Sequence, residues 1–353
     1  MYRLHLALDG ANPRLYDNSE RTPRESASCL NAYRTTPAVR GQNSMTSNST
    51  HPRHVLIGHT NWIYDAVFSP DGKRLATGGW DHVIRIWSTE SGELEMVLRD
   101  HSTEIYCLAF SPSGEILASG SANNDSDIRL WNIANGALLA TLKGHNNVVH
   151  DLAFSQDGES LASVSYDKTV RIWDWRKPSE KMVLQGHGKQ VESVAFTPDS
   201  NALCSAAADT TTKRWDARSG KLLKEYPAIL PWAHTSAFSR DLSLFAVGYG
   251  HRPPGSRRPQ GMAKVWNLSD NQVVHTFHGH RNWIYSLAFS SNTQQLATGG
   301  WDGSVKLWDL RRGLETATLE NHIDVVRTVA FSPDGRQLVS AGYDQRVCLW
   351  EIQ

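Results

Sequence analysis

The sequence predicts an all-β ring of seven four-stranded antiparallel sheets. Three observations predict it: a segment written twice, a near-constant spacing of tryptophans, and strands that are apolar on both faces. His59-Thr60-Asn61-Trp62-Ile63-Tyr64 and Leu75-Ala76-Thr77-Gly78-Gly79-Trp80-Asp81 recur as His280-Arg281-Asn282-Trp283-Ile284-Tyr285 and Leu296-Ala297-Thr298-Gly299-Gly300-Trp301-Asp302, at the same internal spacing. The tryptophan closing each unit falls at Trp87, Trp131, Trp173, Trp215, Trp266, Trp308 and Trp350, with separations of 44, 42, 42, 51, 42 and 42 residues. A fixed period of this length marks a repeat array. It overrides the reading of about two domains that chain length alone suggests.

Residues 1–50 precede the first repeat. They are rich in Ser, Thr, Asn and Arg, contain no Lys and show no period, so a disordered tail is expected. The Arg and hydroxyl content has some likeness to an organelle transit peptide, but Asp9, Asp17, Glu20 and Glu25 count against one, and Met45 is a candidate native start. Leu4 to Leu8 is too short an apolar run for a secretory core, and no run approaches the roughly 18 residues of a membrane helix.

Each unit then reads as four short β-rich runs. In the first they are Ile63 to Phe68, Arg74 to Gly79, Val83 to Trp87 and Leu94 to Leu98, separated by Pro, Asp and Gly turn residues such as Ser69-Pro70-Asp71-Gly72. Ile63, Ala66 and Phe68 break strict alternation as a β-bulge does, and Val191, Val194 and Phe196 repeat the break. Val83-Ile84-Arg85-Ile86-Trp87 is apolar on both faces, so each sheet has to be covered on both sides, which radial stacking provides. After Trp350 only Glu351, Ile352 and Gln353 remain, too few for a fourth strand. His54-Val55-Leu56-Ile57 is the matching run, and it is expected to latch the ring by completing the last sheet.

Thirty-six basic residues balance thirty-six acidic ones, which removes the footprint of a general nucleic-acid binder. Cys29, Cys107, Cys204 and Cys348 lie far apart with no paired-ligand spacing, so free thiols in a reducing, cytoplasmic setting are expected, and neither zinc nor any other metal or cofactor.

The Gly-His dipeptides at 58, 144, 186 and 279, the Phe-Ser-Pro-Asp-Gly turns at 68 and 331, and the Asp-x5-Trp endings resemble those of the WD-repeat β-propellers. The likeness covers residues 54–353 and implies a seven-bladed β-propeller closed by the N-terminal strand. Six units also carry a His, a Ser or Thr, an Asp and a Trp at fixed offsets: His59, Thr77, Asp81, Trp87; His101, Ser119, Asp125, Trp131; His145, Ser163, Asp167, Trp173; His187, Ser205, Asp209, Trp215; His280, Thr298, Asp302, Trp308; and His322, Ser340, Asp344, Trp350. A catalyst needs one such set, and six argue for architecture. The resemblance implies hydrogen-bond chains running from Asp through His and hydroxyl to indole. Unit five departs from the pattern, with Ile229, Val247 and Gln260 at the three polar offsets and only Trp266 retained. It is expected to be the least regular, and unit four is weakened by Thr212 and Arg214.

Two sets of positions lie on the rim that the family uses for partners. The first set gives Trp62 and Tyr64, Glu104 and Tyr106, Val148 and His150, Gln190 and Glu192, Trp232 and His234, Trp283 and Tyr285, then Val325 and Arg327. The second gives Trp80, Asn124, Tyr166, Ala208, Trp301 and Tyr343. Large rings around Arg327 have the composition of a binding hot spot, although they could also cap the sheet ends by packing on one another.

His251 to Gly261 carries three Arg and no acid, and could recruit an acidic segment or remain a solvated loop. A Lys or Arg stands two residues before the closing Trp (Arg85, Arg129, Arg171, Lys213, Lys264, Lys306), except at Cys348, and is expected to lay its stem along apolar strand surface. The leading expectation is a non-enzymatic scaffold, a monomeric ring within a larger complex. It would bind a protein or peptide through Trp62, Tyr64, Trp80, Tyr106, Tyr166, Trp232, Trp283, Tyr285, Trp301, Arg327 and Tyr343. The alternatives are an enzyme or small-molecule binder using the channel, and acidic or nucleic-acid binding by the 251–258 loop.

Overall fold

The computed structural model describes residues 51–122, 125–226, 233–251 and 259–352. Within them the chain forms seven four-stranded antiparallel sheets, six of them in sequence order. Blade one holds Ile63–Phe68, Arg74–Gly79, Val83–Ser88 and Leu94–Arg99. Blade seven holds Val326–Phe331, Gln337–Gly342 and Arg346–Glu351, and its fourth strand is His54–Ile57. Four residue pairs, from His54 with Leu349 to Ile57 with Arg346, make this expected latch.

The innermost strands pack against one another in a closed cycle, so the blades form a ring. The core is not central but divided into wedges between consecutive blades. Ile63, Phe68 and Trp87 of blade one pack with Val339, Val347 and Leu349 of blade seven and with Leu56 of the latch. Ala206 and Tyr226 of blade four pack with Phe245, Val247 and Trp266 of blade five. This is why the middle strands are apolar on both faces: each sheet is buried by two neighbours.

Every innermost strand carries the bulge expected from Ile63 and Val191. The register slips between Ile63 and Asp65, and equivalently at Ile105, Val149, Val191, Ala233, Ile284 and Val326. The skipped residues are Tyr64, Tyr106, His150, Glu192, His234, Tyr285 and Arg327. A bulge re-aims one side chain out of the pleat, and the backbone slip that does so recurs at the same level of all seven blades.

Blade five keeps the four-strand order, and its hairpin is longer than its neighbours', with Leu244–His251 pairing Gln260–Asn267. Among its described residues a second register slip falls between Gly261 and Met262. Gln260 therefore stands in a strand opposite His251, not in the turn that its offset from Trp266 suggested. The tail at 1–50, Cys29, Asn124, Ile229, Trp232 and the Arg-rich stretch 252–258 lie outside the described residues.

Candidate functional site

The polar sets form the expected chains. In blade one the Trp87 indole N–H donates to Thr77 Oγ1 at 2.8 Å, His59 Nε2 lies 2.7 Å from the same hydroxyl, and His59 Nδ1 lies 3.0 Å from Asp81. His145, Ser163, Asp167 and Trp173 repeat this at 2.7, 2.7 and 2.8 Å, and His280, Thr298, Asp302 and Trp308 at 3.0, 2.7 and 3.0 Å. Blades four and seven match. In blade two Asp125 stands 3.6 Å from His101, and Arg129 closes the gap by donating to both His101 Nδ1 and Asp125.

Burial lowers the pKa of His59, His101 and His145 despite their carboxylate partners. His322 is the exception. Desolvation lowers it too, but hydrogen bonds to Asp344 and to Cys348, which replaces the usual cation, outweigh that and raise it to about 9. Each indole, hydroxyl and imidazole is satisfied by its neighbours, so the chains lock the second and third strands and the preceding turn together.

The cations before the closing Trp do more than cover apolar surface. Arg85 and Arg129 are buried and donate to Asp81 and Asp125 at 2.7 Å. Arg171, Lys213 and Lys306 pair with Glu180, Glu225 and Glu315 of the outer strands. The buried Thr212 hydroxyl of blade four has no hydrogen-bond partner, which fits the weakness its sequence predicts.

Sequence reasoning missed a polar girdle one residue past six of the seven bulges. Asp65 accepts from the Leu108 N–H of blade two at 2.8 Å and from Thr328 of blade seven at 3.2 Å. Asp151 accepts from Val194 N–H at 2.9 Å, Cys107 donates to Val149 O, Ser193 meets Ser236, and Val329 N–H donates to Ser286. These bonds stitch blade to blade, so no pattern within one repeat announces them.

Burial raises the Asp65 carboxyl to about 6 and that of Asp151 to about 7. A carboxyl whose folded pKa is raised contributes most below its unfolded value of 3.8 and loses that contribution as pH rises to 6–7. The stability of the wild type relative to Asp151→Asn is therefore expected to fall, by on the order of 3 kcal/mol, between pH 4 and 7.5. Urea midpoints of both proteins across that range check this. A constant difference would contradict it.

The rim is built by the same local devices. The backbone N–H of Trp80 donates to Trp62 O at 2.8 Å, that of Trp301 to Trp283 O at 2.8 Å, and those of Tyr343 and Tyr166 to Val325 O and Val148 O at 3.0 Å. Each bond brings a turn residue beside the residue before the bulge. Gly79 and Gly342 permit it, since a Cβ there would lie about 2 Å from Trp62 O and Val325 O.

From Tyr343 the aromatic contacts run unbroken across four blades. Tyr343 stacks on Trp62 at 4.3 Å, Trp62 meets Trp80 edge-on at 5.2 Å, and Tyr64 lies 6.0 Å from Trp80 and 4.7 Å from Tyr106. His150 follows at 6.4 Å and stacks on Tyr166 at 5.1 Å. Trp283, Tyr285 and Trp301 form a second group on blade six. There the Trp283 indole lies against blade five where Gly250 leaves room, with its Cδ1 1.6 Å from where a Cβ of Gly250 would sit.

Arg327 joins the two groups, donating to Tyr285 O at 3.5 Å and lying 5.5 Å over the Tyr64 ring. The rings thus do pack on one another. Trp62, Trp80 and Trp301 nonetheless remain 36%, 37% and 36% exposed. Trp62, Tyr64, Trp80, Tyr106, Tyr166, Trp283, Tyr285, Trp301, Arg327 and Tyr343 are thus linked by contacts along one rim.

Seven four-stranded blades, repeated Asp-His-hydroxyl-Trp chains and a latching first strand define a WD-repeat propeller. The chain belongs to the WD40 family (WD domain, G-beta repeat), whose model matches residues 50–88, 92–132, 136–174, 178–216, 271–309 and 313–351. Blade five, which lacks the polar chain, falls in the gap between the fourth and fifth matches.

Among similar proteins are Ribosome assembly protein 4 of Chaetomium thermophilum, 38% identical over 48 residues, and Cross-pathway control WD-repeat protein 2 of Flammulina velutipes, 36% identical over 42. Small ribosomal subunit protein RACK1 of Drosophila melanogaster is 36% identical over 47. These matches cover 14%, 12% and 13% of this chain, and only 9%, 13% and 15% of the three relatives. Each spans about one repeat, so the likeness lies in the repeat and not in the whole proteins.

Proposed function

We propose that this propeller is a non-enzymatic scaffold that docks a protein or peptide segment on the aromatic rim centred on blades six, seven and one. The observation that carries this reading is the pair of aromatic groups meeting at Arg327 with three indoles left more than a third exposed. Exposed indoles gathered on one surface are costly in water and supply most of the energy of an interface when a partner covers them. A neutral net charge favours a protein partner over nucleic acid. Two relatives bear names tied to the ribosome, which supports a monomeric ring working within a larger assembly. The buried free thiols of Cys107, Cys204 and Cys348 fit a reducing, cytoplasmic compartment.

Replacing Trp62, Trp283 and Trp301 together by Ala tests the reading. Proteins captured from lysate by the wild type are expected to be lost, with the circular dichroism spectrum unchanged. An unchanged set of captured proteins would leave the rim as a cap on the blade ends.

A further inference from the structure

The proposed rim has a charge at its centre that no carboxylate among the described residues contacts as an ion pair. Arg327 projects from the bulge of blade seven and stays cationic: desolvation would lower its pKa, but the phenols of Tyr343, Tyr166, Tyr64 and Tyr106 together raise it. Among the described residues no carboxylate lies within ion-pairing distance of it. Asp65 feels its field, but the Asp65 oxygens are taken by the Ala66 and Leu108 N–H groups and the Thr328 hydroxyl. Glu104 and Asp324 act on the Tyr106 and Tyr343 phenols. The contacts Arg327 does make are a long hydrogen bond to Tyr285 O and the Tyr64 ring face. A half-buried guanidinium held this way keeps donors for an anion, and in a site of low polarity that pairing is strong.

We propose that Arg327 is the anion-recognition point of the rim. It takes one negatively charged group, a carboxylate or phosphate, carried beside a large apolar group that covers Trp62, Trp80 and Trp301. The partner segment is then acidic or phosphorylated and amphipathic. The phenols of Tyr64, Tyr106, Tyr166 and Tyr343 lie within electrostatic reach of the same point. This deepens the docking reading and rests on it.

The test titrates the full chain with phenyl phosphate, benzoate and benzylammonium, following tryptophan fluorescence. Phenyl phosphate or benzoate is expected to quench saturably and more weakly at high salt, while benzylammonium does not. Arg327→Met is expected to weaken that binding roughly tenfold or more, and Arg327→Lys to retain part of it. Circular dichroism and melting of both variants report their fold, and Arg327→Lys serves if Arg327→Met does not fold. Stronger quenching by phenyl phosphate points to a phosphorylated partner, and by benzoate to a carboxylate. Binding of benzylammonium instead, no binding of either anion, or anion binding undiminished in Arg327→Met or, where that variant does not fold, in Arg327→Lys would overturn the proposal. Lysate capture that ignores the indoles would remove the docking reading alone, because the probe titration does not depend on it.

Discussion

Removing residues 51–57 is expected to lower stability by about 3–5 kcal/mol and to convert the ring into an aggregating species. The latch is four residues long, yet it completes a sheet and a wedge together. Leu56 is 4% exposed and packs with Val347, Leu349, Phe68 and Trp87, so its loss opens the apolar wedge between blades seven and one. The strand Arg346–Glu351 keeps Gln337–Gly342 but loses its outer partner, and becomes an edge with unpaired backbone groups. Arg53 adds a backbone bond to Leu349 O at 2.7 Å, while its surface ion pair with Glu351 contributes little. Leu56→Ala, which keeps the backbone pairing, is expected to lose about 2–3 kcal/mol and stay monomeric. Urea unfolding followed by tryptophan fluorescence, together with size-exclusion chromatography, checks both. A deletion variant that remains monomeric with an unchanged midpoint would show that the ring does not need this closure.

Thr298→Val is expected to destabilise the protein by about 2–5 kcal/mol, because it orphans two buried groups at once. The hydroxyl accepts from the Trp308 indole N–H at 3.0 Å and lies 2.7 Å from His280 Nε2, and the site is fully buried. His280→Leu strands the same hydroxyl from the other side and removes a partner of Asp302. In the double variant the hydroxyl and imidazole disappear together, so the losses are expected to fall short of additive by about 1–3 kcal/mol. Blade five illustrates that end state: Val247 and Trp266 share an apolar wedge in a sheet whose two middle strands are longer than those of its neighbours. Strict additivity in urea midpoints would mean that the four residues do not act as a chain.

Much of this architecture is legible from one repeat read seven times. The spacing of Trp87 to Trp350 sets the number of blades, the irregular Ile63-Ala66-Phe68 pattern announces the bulge, and the missing strand after Trp350 names the latch. The polar chains are legible for the same reason, since His280, Thr298, Asp302 and Trp308 belong to one blade at offsets fixed by its turns. The rim was legible as a list of positions. Its connectivity was not: the unbroken run of rings goes from Tyr343 through blades one, two and three, while blade six forms a separate group joined through Arg327.

What the sequence by itself determined is everything that repeats within about 42 residues: strands, turns, bulges and the chains that bind them. What only the tertiary structure decided lies between blades, in the girdle that joins Asp65 to Leu108 and Thr328, the outer-strand partners of Arg171 and Lys213, and the phenols gathered about Arg327. The physical reason is that backbone hydrogen bonding and side-chain alternation act along the chain and leave a period in it. The contact of one blade with the next depends on the angle at which two sheets meet, which no single repeat encodes.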